Sequence, residues 1–283
     1  MKRNAIVRII LFSLIIAVLV GILVTGIGVG LYTFQVDHTT ENYTHGAGEI
    51  PAQEVRDIEI EWASGSITLE TADTDVITFH ETASKNADPL VFRQNGDKLI
   101  IQYQANINVF GFTSNFGKDL VITVPHDWKC GELTVDAASA DLTVNNFSAS
   151  EVDLNLASGD SRFTDCKVSE LNLECASGEV YYVGTLNTLD CDTASGKVTA
   201  IFDNIPQSID FDGVSGDLEL TLPADAGFTV GMDAISGNFY SDFETTNRNG
   251  RYICGNGACK IDVDGISGSV TIRKGDAHRP KFS

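Results

Sequence analysis

Hydrophobic and polar positions change character along this 283-residue chain. Ile9 to Tyr32 is a run of 24 residues without a charge. As a helix rising about 1.5 Å per residue it would measure roughly 36 Å, enough to cross a bilayer with some tilt. Thr33 to Glu49 is polar and has no apolar period, so it reads as a linker. Beyond it, apolar residues recur at every second position, the pattern of half-buried strands.

One phrase punctuates those strands. It appears as Ala63-Ser64-Gly65, Ala138-Ser139-Ala140, Ala157-Ser158-Gly159, Ala176-Ser177-Gly178, Ala194-Ser195-Gly196, Val214-Ser215-Gly216, Ile235-Ser236-Gly237 and Ile266-Ser267-Gly268. From Ala140 to Gly237 the spacings are 19, 19, 18, 20 and 21 residues, and the last step is 31. Seven, five and three positions before the third residue stand apolar triplets such as Leu133, Val135, Ala137 and Val152, Leu154, Leu156. Two and four positions after it come pairs such as Leu142, Val144 and Leu218, Leu220. Each repeat is therefore two short strands around a small-residue corner. Two strands cannot bury an apolar face alone, whereas stacked copies share one continuous inner column. The expected fold is all-β, a parallel β-solenoid of about 19-residue coils after one transmembrane helix. A sandwich is the rival, but it does not require near-equal spacing of one phrase.

Gly65 and Ala140 lie 75 residues apart, so the stretch between them has another role. Asn95-Gly96 separates two strand-like runs within Val91 to Tyr103, a hairpin signal, and Val121 to Val124 is a further short strand. This region reads as a cap on the solenoid's first edge, with Ser241 to Ala258 acting similarly near the other end. The expected division is a cytoplasmic stub at 1–8, a transmembrane helix at 9–32 and a linker at 33–50. A β-rich cap with the first repeat follows at 51–130, then the repeats at 131–273 and a tail at 274–283.

Lys2, Arg3 and Arg8 precede the apolar run, and Asp37, His38 and Glu41 are the next ionisable residues. The excess of cations before the span places the N-terminus in the cytoplasm and the β-rich part outside, at the cell membrane. A cleaved signal peptide is the alternative, but its apolar region is normally about 7–15 residues long and no clear A-x-A site follows. Gly26 and Gly30 form a small-xxx-small pair, a weak signal for close helix packing.

The phrase Leu222-Pro223-Ala224-Asp225, then Ile235-Ser236-Gly237, then Gly255-Asn256-Gly257 leading to Ile261-Asp262-Val263-Asp264-Gly265-Ile266-Ser267-Gly268, resembles the putative-adhesin family. These bacterial envelope proteins carry a domain of unknown function, and LiaG-like proteins are among them. The likeness covers about Glu54 to Arg273. It implies a β-helix-like extracellular domain, often membrane-anchored, with relatives beside envelope-stress genes. It brings no catalytic residues.

Charge then changes the picture. Nineteen Lys and Arg against 39 Asp and Glu give a formal net charge of −20, which argues against nucleic acid as a partner. Much of the excess falls on outward positions four and six before the corner: Glu61, Asp136, Asp153, Glu174, Asp190, Asp192, Asp210, Asp212, Asp233, Asp262 and Asp264. Coils about 4.8 Å apart would stack these carboxylates into a ladder. Like charges at that distance repel by somewhat under about 1 kcal/mol in water and more in a low dielectric. Such a ladder raises its own pKa values, attracts Ca²⁺, or faces a cationic surface; the bland alternative is a solvated acidic face. Asp262-x-Asp264-Gly265 is only a fragment of a calcium loop.

Cys175 and Cys191 fall on inward positions two residues out of register, about 8 Å apart and beyond disulfide reach. Cys254 and Cys259 bracket a turn-like Gly-Asn-Gly-Ala loop and are candidates for a disulfide in an exported protein. No Cys-x-x-Cys pair exists, the five histidines lack metal-ligand spacing, and no Gly-x-Ser-x-Gly elbow is present. Some β-helices cleave acidic polysaccharides, but the few bases here suit such a substrate poorly. The expectation is a non-enzymatic binding, adhesion or scaffolding domain with no cofactor. The alternative is an accessory in envelope-stress sensing that works through another membrane protein.

Overall fold

Each coil bends at its corner because the backbone of one copy lies against that of the next. Gly178 has φ +142°, and a Cβ there would fall inside contact distance of the Gly159 carbonyl oxygen. Gly268 repeats this against Gly216, with φ +150°. A side chain is excluded twice, by the close approach and by the positive φ. The corners therefore form a column that fixes the register of everything on either side.

The computed structural model describes residues 43–83, 87–104 and 117–275. The expected membrane span at 9–32 lies outside them. Among the described residues no helix is long and apolar enough to cross a membrane. The short strands β1 (Thr44–His45) and β2 (Gly48–Pro51) lead through a single 3-10 turn (Ala52–Glu54) into β3 (Asp57–Ala72). Then come β4 (Val76–Thr82), β5 (Val91–Asn95), β6 (Lys98–Gln102) and β7 (Lys118–Pro125). The repeats occupy β8 (Cys130–Asn145), β9 (Ser148–Ser158), β10 (Ser161–Phe202), β11 (Ser208–Leu222) and β12 (Phe228–Ser241). The described part closes with β13 (Thr246–Arg248), β14 (Arg251–Cys254) and β15 (Cys259–Lys274).

The described chain is all-β, and its repeats pair parallel and in register, as a β-solenoid requires. Ile58 lies beside Leu133, Leu133 beside Val152, and Val152 beside Leu171. Leu189 lies beside Ile209 and Ile209 beside Ile261. These inward residues are buried in one continuous core with Phe163, Phe211 and Tyr182. Burial of such a column from water is the main stabilising term.

Spatial order departs from chain order at both ends. β3 pairs with β8 although 75 residues separate their corner residues. Near the C-terminus, β15 inserts between β11 and β12, so the last repeat in sequence is not the last coil in space. The reason lies in the 31-residue step to Gly268: its extra residues form β13 and β14, which run antiparallel and return the chain to the inner side of β12.

Caps close the stack. On the N-terminal edge, β6 covers the first half of β3 and β7 the second half. The β5–β6 hairpin turns through Gly96-Asp97, one residue beyond the expected Asn95-Gly96, with Asn95 paired to Lys98 and Gly96 at φ +65°. Under this cap, Trp62 meets Tyr103 edge to face at 5.1 Å and donates its indole N–H to the Lys118 carbonyl at 3.0 Å. On the other edge, β14 covers only Phe228–Gly231 of β12.

Candidate functional site: the acidic outer columns

Strand alternation turns the residues between the inward positions outward, and the register aligns them across coils. Glu61 opposes Asp136, Asp136 opposes Asn155, and Asn155 opposes Glu174. Further along, Asp192 opposes Asp212, Asp212 opposes Asp264, and Asp264 opposes Asp233. The second column places Asp153 beside Asn172, then runs through Asp190, Asp210 and Asp262 and ends at Gly231. Every acid of the expected ladder stands in one of these columns, with Asp264 between Asp212 and Asp233. That order corrects the one the chain implies, because β15 is the inserted coil.

A third column eight residues before the corner, Glu132, Glu151 and Glu170, extends the same face. Its signal was present in the same spacing that gave the other two. Asp141, Asp160 and Asp217, just past the corner, are acids of a different kind. The Asp160 N–H donates to Asp141 at 3.0 Å, Glu179 N–H to Asp160 at 2.9 Å, and Ser269 N–H to Asp217 at 2.8 Å. These carboxylates tie neighbouring coils together.

The two halves of the acidic face differ electrostatically. Asn155 Nδ2 donates to Asp136 Oδ1 at 2.7 Å, and Asn172 Nδ2 donates to Asp153 Oδ1 at 2.7 Å. Interposed amides thus soften repulsion in the first half, although burial still pushes the Glu61 and Asp136 carboxyls upward. The second half has no such amides between Asp190 and Asp264. There burial, followed by the charges of Asp190, Glu174 and Asp210, pushes Asp192 up to about 6. Burial, followed by Asp210, Asp264, Asp192 and Asp190, pushes Asp212 up to about 7. Asp212 Oδ1 is buried with no hydrogen-bond partner. Cations touch the face at its ends, with Lys98 on Glu59 at 3.2 Å and Arg251 on Asp262 at 3.3 Å.

Among the described residues no group of three or more His, Cys, Asp or Glu side chains converges to hold a metal ion. The carboxylates are spread along columns and do not ring a point. Two corner serines tie neighbouring corners together, Ser158 Oγ donating to Ala138 O at 3.3 Å and Ser236 Oγ to Ile266 O at 3.4 Å, whereas Ser64 Oγ is buried with no hydrogen-bond partner.

All six cysteines are free and buried. This corrects the bridge considered between Cys254 and Cys259. Both are register partners of Phe228, one on each side of β12. Two strand spacings put their Cα atoms about 9.6 Å apart, beyond the roughly 7 Å limit for a disulfide. Burial pushes Cys130 and Cys259 up to about 12 and Cys166 to about 11, the state of inert packing thiols.

Against known proteins, a family model described as Toastrack DUF4097 matches residues 55–273. No curated protein matches. Solved structures show a looser likeness. A "putative cell adhesion protein" from Clostridium sporogenes is 8% identical, with 82% of this chain and 100% of that chain covered at a TM-score of 0.41. A "putative adhesin" from Bacteroides fragilis is 11% identical, with 82% and 98% covered at 0.42. A "putative lipid binding protein" from Parabacteroides distasonis is 15% identical, with 84% and 98% covered at 0.41.

Proposed function

The chain belongs to the Toastrack family, and from that premise we propose that it is a non-enzymatic binding module of the bacterial cell envelope. Residues 9–32 would anchor it in the membrane, with the solenoid outside and its acidic face turned to a cationic surface such as a basic polypeptide. The observation that carries this reading is the set of outward carboxylate columns, held in register from Glu61 to Asp264. A rigid row of charges at strand spacing matches a polycation along its whole length and gains when the two neutralise each other. The spread of the acids favours a polycation over Ca²⁺, which needs six to eight oxygens around one point. An accessory role in envelope-stress sensing would use the same face on a membrane partner.

Binding of the full chain to immobilised polylysine and to dextran sulfate, at low and high salt, tests the proposal. The expected result is salt-sensitive binding to polylysine alone, weakened several-fold by Asp190→Asn, Asp210→Asn and Asp262→Asn together. Equal binding by wild type and variant would contradict it, and millimolar Ca²⁺ should compete only weakly.

A further inference from the structure

The last coil in space is covered unevenly. β14 pairs with Phe228–Gly231 of β12, whereas among the described residues no strand pairs with the outer side of Gly237–Ser241. This edge offers unused backbone N–H and C=O groups for another strand. It carries none of the usual protection: Ile235 to Ser241 reads Ile-Ser-Gly-Asn-Phe-Tyr-Ser, without Lys, Pro or any charge. Tyr240 is 56% exposed, unusual for a large apolar side chain in this molecule. Phe239 is held beneath it by stacking on Tyr252 at 4.3 Å.

Charge says what can approach. From Phe228 to Gly275 the acids are Asp233, Asp242, Glu244, Asp262 and Asp264. The bases over the same span are Arg248, Arg251, Lys260, Arg273 and Lys274. Five against five leaves this end neutral, while the whole chain carries −20. Elsewhere two copies of the molecule repel each other, and here they do not. A strand paired antiparallel with its own copy is also self-complementary by symmetry, so one edge serves both partners.

We propose that the outer edge of β12 over Gly237–Ser241 docks a second copy of this chain, strand against antiparallel strand. Centred on Phe239, the pairing sets Asn238 of each copy opposite Tyr240 of the other and continues the sheet from one solenoid into the next. Because β1 and the N-terminal cap lie at the opposite end of the stack, the two N-terminal caps would stand at the far ends of the pair. The contact would then join molecules tip to tip, a homotypic form of the binding role proposed above, and it rests on that reading for its biological use.

The test is sedimentation of the full chain over a concentration series, with wild type beside Asn238→Lys/Tyr240→Lys. The expected result is a concentration-dependent dimer in wild type, a monomer in the variant, and the same melting temperature for both at dilutions where wild type is monomeric. Hydrogen exchange should show the outward-pointing amides of Gly237–Ser241, those not already bonded to β15, becoming protected only as the wild-type dimer forms. A wild-type monomer at every soluble concentration overturns the proposal. So does a dimer that survives the lysine pair, because the contact then lies elsewhere, for example in the anchor. So too does a monomer whose edge amides are protected only by an added extended peptide. These readouts use the chain alone, so failure here leaves binding to polylysine untouched, and the reverse also holds.

Discussion

Gly178 has room for no side-chain atom, since the neighbouring carbonyl and the backbone angle both exclude one. Gly178→Ala is therefore expected to lower stability by about 2–4 kcal/mol, read as a fall in melting midpoint. Ala140, the one alanine in the corner column, shows that the second corner, which seats on Gly65, tolerates a methyl group. Lys118 is a second decisive residue. It is 1% exposed, pairs with Glu81 at 3.1 Å and lies 4.5 Å from the Tyr103 ring centre. Burial lowers its pKa, and Glu81 partly restores it. Lys118→Met strands a carboxylate against the cap and should cost roughly 2–4 kcal/mol in a denaturant titration, while adding Glu81→Gln recovers part of the loss. Nothing in the sequence singled this lysine out, because burial of a charge depends on which loops cross above it. The cysteines give a simpler test. Native protein should leave all six thiols unreactive toward a thiol reagent, and denatured protein should expose all six.

At the scale of strands, the alternation around each corner named the inward residues correctly. Leu133, Val135, Leu154, Leu171 and Leu220 are all buried. Equal spacing also gave the register, because each small corner seats only on another corner. The order of coils was not legible. Every coil presents the same inward pattern, so side-chain alternation cannot tell β12 from β15 as the neighbour of β11. The connecting segments decide it, and Ser241–Ala258 does so by folding back as β13 and β14. The same insertion misled the reading of Cys254 and Cys259, which are near in sequence but lie on either side of Phe228.

At the scale of the molecule, the acidic face follows from register and charge together. The sequence located its two main columns, and the structure adds why they are uneven: amides stand between acids near Asp136 and Asp153 but not between Asp190 and Asp264. This unevenness has a consequence for pH. Asp192 and Asp212 bind protons more tightly folded than unfolded, so they oppose folding when ionised. Their share of stability is complete below the unfolded carboxyl range and is lost as pH rises through about 6 and about 7. Glu219, held low by Lys197 and Arg273, acts in the opposite sense and loses its contribution only in more acidic solution. The most direct measurement is the melting midpoint of the full chain from about pH 8 to pH 5, beside Asp192→Asn/Asp212→Asn. Stacked, half-buried carboxylates predict that wild type gains stability as pH falls across that range. They also predict that the variant is more stable at the alkaline end, by on the order of 1 kcal/mol after solvent screening, with a flatter profile. A wild type that weakens steadily from about pH 8 downward, or a variant with the same profile, would contradict the account.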